Sequence, residues 1–83
     1  MPLFMDVHNL DGGVSVTDVG NAHMADLQTQ GKHDVNYVRY WVDEGKGKIF
    51  CLVEAPSAEA ANTVHREAHG LVADAIYQVQ EGS

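Results

Sequence analysis

Apolar and polar positions alternate from the first residues of the chain. Leu3, Met5 and Val7 fall on one parity and Phe4, Asp6 and His8 on the other, which predicts a strand over Leu3 to Asn9. Asp11-Gly12-Gly13 reads as a turn, and Ser15 with Asp18 has the spacing of a helix N-terminal capping signal. The period then changes from two to between three and four. Val16, Val19, His23 and Leu27 share one face of a predicted first helix running from about Val16 to Gln30, with Gly31 as its stop. A second strand rich in Tyr, Val and Trp spans about Val35 to Val42, and Asp43-Glu44-Gly45-Lys46-Gly47 turns the chain into a third strand, Lys48 to Glu54. That strand is apolar on both faces, so both are expected to be covered. Pro56 and Ser57 open a second helix from Ala58 to His69, with Ser57 as N-cap and Glu59 favourable in the first turn. The helix stops at Gly70, and a last strand covers about Ala73 to Val79.

The order β-α-β-β-α-β is the ferredoxin-like plan of the α+β class, an antiparallel sheet with two helices on one face. Residues 1–83 are read as a single domain, without linker, repeat or low-complexity tract. If alternation holds, Phe50, Leu52, Trp41 and Tyr37 lie on the face that the helices leave open. So apolar a face on so small a chain is a candidate homodimer surface.

Composition narrows the partners. A chain of 83 residues has little core, and its usual supports are disulfides, a metal or a second subunit. Cys51 is the sole cysteine, so no disulfide framework exists. The formal charge of −7, from 12 acidic and 5 basic residues, argues against nucleic acid and against an anionic membrane surface. The N-terminal segment lacks a basic region and a long apolar run, and the lone cysteine suits a reducing compartment; a cytoplasmic protein is expected.

The chemistry converges on histidines. His65 and His69 stand at i and i+4, a spacing that places two imidazoles on one side of a helix and suits two ligands of one metal, although it also recurs by chance. The fold plan adds a third. Strand one ends at the sheet edge where helix two ends and strand four begins, so His8 is expected beside His65 and His69. Three imidazoles suit Zn, Ni, Cu or Co better than Mg or Ca. Cys51 and His23 fall at similar depth in the same layer, either as further ligands or as an inert buried thiol and a hydrogen-bonded core histidine. Asp6 shares the His8 face, as a ligand, as an acceptor orienting an imidazole, or as a partner of Arg39. His33 reads as a surface residue, Asp43 and Glu44 as solvated turn residues, and Tyr37, Tyr40 and Trp41 as packing residues. Cys51 sits mid-strand without an oxyanion hole, and no phosphate-binding loop is present, so nucleophilic catalysis has little support.

Several stretches together resemble a family of small bacterial nickel-binding proteins. They are Phe4-Met5-Asp6-Val7-His8, Ala22 to Leu27, Tyr40-Trp41-Val42-Asp43, Phe50 to Pro56 and Val64 to Gly70. The most specific are Phe50-Cys51-Leu52-Val53-Glu54-Ala55-Pro56 and Val64-His65-Arg66-Glu67-Ala68-His69-Gly70. The resemblance implies a ferredoxin-like homodimer that binds Ni(II) as a sensor, buffer or sequestering protein. The expected metal residues, taken from the geometry above, are His8, His65, His69, Cys51 and His23, with Zn, Cu and Co as alternative ions. A second reading is a small dimeric ferredoxin-like enzyme, of monooxygenase or isomerase type, acting on an aromatic or other small molecule.

Overall fold

A computed structural model of the chain describes residues 1–82. Its elements are β1 (Leu3–Asn9), α1 (Val16–Thr29), a 3-10 turn (Gln30–His33), β2 (Asn36–Asp43), β3 (Lys48–Glu54), α2 (Ala58–Ala68) and β4 (Ala75–Val79). The strands form one antiparallel sheet in the order β2-β3-β1-β4, the ferredoxin-like arrangement predicted from the element order. β1 is central. Its odd residues face the open side, while Phe4, Asp6 and His8 point under the helices and are buried. The core between sheet and helices holds Phe4, Val19, Ile49, Cys51, Val53, Ala61 and Val64.

Both predicted caps form. Ser15 Oγ accepts from the Asp18 N–H at 3.1 Å, and Ser57 Oγ from the Ala60 N–H at 3.1 Å. At the far end of α2, Gly70 takes the left-handed conformation (φ 82°) and its N–H donates to the His65 carbonyl at 2.9 Å. A glycine there turns the chain without a Cβ penalty. This turn delivers Asp74, whose N–H donates to the Val7 carbonyl, so β4 starts beside the end of β1.

Three details differ from the sequence expectation. α1 does not stop at Gly31. The chain tightens into the 3-10 turn, and Asp34, at φ 58°, reverses it by donating its N–H toward the carbonyls of Gln30 and Gly31. Aspartate is one of the few side chains that tolerate this backbone region. Second, Val16 and Leu27 are exposed, and the buried face of α1 runs through Val19 to Asp26. Third, β2 carries a bulge between Tyr37 and Arg39, where Tyr37 pairs with Val53 and Arg39 with Leu52. The extra residue, Val38, reverses the parity. Tyr37 therefore points under the helices and is buried, rather than joining Trp41 on the open face.

Candidate metal centre

The sheet brings Asp6 and His8 up from β1 and Cys51 from β3, and α2 brings His65 down onto them. Register fixes the two strand contributions, since Asp6 is the direct partner of Cys51. His65 lies on the stripe of α2 that also buries Ala61 and Val64. One donor atom from each of Asp6, His8, Cys51 and His65 lies within 4.8 Å of every other, and all four residues are buried. His8 Nε2 and His65 Nε2 are 3.3 Å apart. The Asp6 carboxylate spans both, with Oδ1 at 3.1 Å from His8 Nε2 and Oδ2 at 2.9 Å from His65 Nε2. Two nitrogen ligands each about 2.1 Å from one ion sit about 3.0–3.4 Å apart, so this spacing fits shared coordination.

A second group shares His65 through its other nitrogen. His65 Nδ1 lies 3.0 Å from Asp26 Oδ1, and Asp26, His65 and His69 also place donors within 4.8 Å of one another. His69 Nε2 is 3.0 Å from the same Asp26 oxygen but off the line that a hydrogen bond needs. His65 is thus the neighbour of both other predicted imidazoles, with ring centroids 4.9 Å from His8 and 5.0 Å from His69.

Electrostatics follow from burying two carboxylates around one ring. Burial disfavours a charged His65, but the hydrogen bonds to Asp26 and Asp6 outweigh it and raise the ring to about 9. At neutral pH His65 is therefore an imidazolium, donating Nδ1–H to Asp26 and Nε2–H to Asp6. Burial raises the Asp6 carboxyl, yet the hydrogen bonds from His65 and His8 hold it well below the usual carboxylate range. Asp26 is depressed by the same balance with His65 and His69. Burial, and after it the Asp6 charge, pushes the Cys51 thiol far up, so it is protonated in the metal-free protein.

The donor set passes a chemical test for a transition ion. His8 Nε2 points at Asp6 and His65, which leaves Nδ1 buried on the other side of the ring with no hydrogen-bond partner among the described residues. A half-open cavity lined by His8, Cys51, His65, His69, His23 and Tyr40 has a volume of about 20 Å³, room for an ion or about one water. Imidazole, thiolate and a single carboxylate are the ligands that borderline ions take.

His23 lines that cavity but belongs to neither donor group. Its ring packs against Tyr40 with centroids 4.7 Å apart, and burial lowers its basicity. Asp6 does not pair with Arg39, which lies on the opposite sheet face beside Leu52. Outside the site, His33 Nε2 and Lys32 Nζ both reach Glu67 Oε1, at 2.9 and 3.0 Å, tying the 3-10 turn to α2. Glu44 accepts from the Val16 N–H at 2.9 Å, so this turn residue caps α1.

Two site residues carried no sequence signal strong enough to single them out. Asp26 interrupts the apolar face of α1 three residues after His23, and an acidic residue on a buried stripe is the signature of a charged partner. Tyr37 is aimed inward by the bulge alone. Its hydroxyl lies 2.9 Å from Asp6 Oδ2 and 3.0 Å from the Ala61 carbonyl oxygen.

The chain is similar to known proteins in both sequence and structure. A family model described as nickel responsive protein SCO4226-like matches residues 4–79. The crystal structure of SCO4226 from Streptomyces coelicolor A3(2) is similar, with a TM-score of 0.89 and 40% identity, over 98% of this chain and 99% of that one. A search of curated proteins found no match.

Proposed function

Because this chain belongs to the SCO4226-like family of nickel responsive proteins, we propose that it binds Ni(II) as a small dimeric metal sensor, buffer or sequestering protein of the cytoplasm. The observation that carries the reading is the convergence of four buried donors, from Asp6, His8, Cys51 and His65, within 4.8 Å of one another. These four are the proposed ligand set. His69 and Asp26 support it from the outer side of His65, and His23 closes the cavity wall.

Nickel is favoured over zinc and cobalt by the family, and over calcium or magnesium by the donors. Site affinity alone ranks copper above nickel. Burial of every donor means that an ion must shed most of its water on entry.

The dimer rests on the open face of the sheet. Leu3, Met5, Leu52 and Trp41 line a shallow groove there, and Trp41 and Tyr77 are 46% and 58% exposed. Arg39, Gln80 and Glu81 border the same groove, and exposed apolar side chains with a polar border on so small a molecule are suited to self-association. Among the described residues no helix is long and apolar enough to cross a membrane.

Calorimetric titration of Ni(II) into the wild type and His8→Ala and His65→Ala variants tests the reading. Wild type should take up the ion stoichiometrically, and each variant should lose that uptake. Equal uptake in the His65→Ala variant would reject the proposed centre.

A further inference from the structure

Tyr37 is placed for a task that packing alone does not require. A phenylalanine would fill the same volume without a hydroxyl to satisfy, and a buried hydroxyl is costly unless it is hydrogen-bonded. The fold also spends a β-bulge on this residue. With regular pairing Tyr37 would share the open face with Trp41; the extra Val38 turns it under α2. Bulges next to functional sites commonly re-aim one side chain in this way. The backbone at the bulge is held as well, since the Tyr37 N–H donates to Gln30 Oε1 at 2.8 Å.

All the inward contacts of Tyr37 that bear on polarity reach the proposed ligand segments. Its hydroxyl has two acceptors within reach, Asp6 Oδ2 at 2.9 Å and the Ala61 carbonyl at 3.0 Å. Ala61 begins the helical turn that ends at His65, because an α-helical carbonyl at i faces the amide at i+4. The Tyr37 ring also packs on the His65 ring, with centroids 4.5 Å apart and a tilt of 34°. One side chain therefore touches the β1 carboxylate, the α2 backbone turn and the α2 imidazole. These are the parts whose separation sets the donor spacing of the centre.

We infer that Tyr37 is a positioning residue for the metal centre, fixing the Asp6 carboxylate and the His65 turn of α2 at the separation one transition ion requires. The inference rests on the proposed metal function and deepens it. Partners one step removed from the ion typically account for 10–100-fold in affinity, because they fix the orientation of the ligands.

The test compares Ni(II) affinity, by competition with a chelator, for wild type, Tyr37→Phe, His65→Ala and Ser15→Ala. Ser15→Ala removes the α1 cap far from the centre and serves as a control for stability. Co(II) absorption provides the second readout, since its visible bands report ligand geometry and are insensitive to a remote loss of stability. Tyr37→Phe should bind Ni(II) with unchanged stoichiometry and roughly 10–100-fold weaker affinity, with shifted Co(II) bands. Ser15→Ala should match wild type in both. Wild-type affinity and an unshifted spectrum in Tyr37→Phe, with uptake lost in His65→Ala, would overturn the positioning role alone. An equal loss in Ser15→Ala would also overturn it, by tracing the effect to stability. Failure of the wild type to take up Ni(II) would overturn the metal reading and this role with it.

Discussion

Nickel uptake should tighten as the pH rises from 7 to 9, because His65 must release a proton before its Nε2 can ligate. In the metal-free protein that ring is held between Asp6 and Asp26 at 2.9 and 3.0 Å, and these contacts raise it to about 9. At pH 7 the ion competes with a proton held about two pH units above its surroundings. That competition costs about 3 kcal/mol, or about 100-fold in apparent affinity. Affinity should therefore rise about tenfold per pH unit up to about 9 and then level off, if His65 gives the only proton. Cys51 makes a steeper alternative. Burial and the Asp6 charge push its thiol higher still. If its sulfur ligates as thiolate, as the proposed ligand set requires, a second proton leaves: the rise becomes about 100-fold per unit up to about 9 and continues at about tenfold per unit beyond it. Chelator competition at half-unit pH steps gives the slope. Calorimetry in buffers of different ionisation enthalpy counts the protons directly. An affinity that is flat between pH 7 and 9 would refute the reasoning, since no proton would then be displaced from His65.

Other expected outcomes follow from the same contacts. The metal-free protein should lose about 3 kcal/mol of stability as the pH rises from about 6.5 through about 9, because the raised His65 stabilises the fold fully below 6.5 and not above 9; denaturant unfolding across that range reads it. The depressed carboxyls of Asp6 and Asp26 act oppositely, so stability should also fall below about pH 4, with an optimum between the two limits. The Asp6 and His65 shifts describe one interaction and count once. Asp26→Asn should destabilise the metal-free fold by roughly 3 kcal/mol and move the upper limit of the pH–affinity rise to lower pH, as His65 loses one of its two charged partners; an unmoved limit would remove Asp26 from the account. Ser57→Ala should cost about 1 kcal/mol in thermal or denaturant unfolding, through the lost N-cap of α2. Trp41→Glu should yield monomers in sedimentation experiments while leaving Ni(II) uptake intact, because Trp41 lies on the sheet face opposite the donors.

Much of the fold was legible because the elements are strongly periodic and properly punctuated. Phe4, Asp6 and His8 alternate cleanly with Leu3, Met5 and Val7, and the Ser57 hydroxyl and the missing Cβ of Gly70 suit the two ends of α2 that they mark. The adjacency of His8 and His65 followed from topology, since strand four beside strand one brings the end of α2 over the end of β1. What stayed hidden depended on one-residue effects. The bulge at Val38 has no local signature, yet it reverses the direction of Tyr37. Asp26 was outweighed by a stripe drawn through Val16 and Leu27, which proved exposed; its burial depends on His65, 39 residues away, and no local pattern encodes that partner. Asp34 replaced Gly31 as the stop for a similar reason, because a left-handed aspartate looks like any other polar loop residue in sequence.

The central place of β1 carries a consequence for how the chain matures. Asp6 and His8 emerge among its first residues, whereas His65 follows 57 residues after His8. A chain synthesised only through β3 holds three of the four donors and none of the helix that completes them. The last strand must also insert beside β1 before the end of α2 is anchored by the Asp74–Val7 hydrogen bond. An ion that binds only the completed arrangement stabilises the finished molecule in proportion to its concentration and leaves truncated or misregistered chains without help. If the site is filled, occupancy would report a finished fold, and supply of the ion would set how long folded molecules outlast partly folded ones.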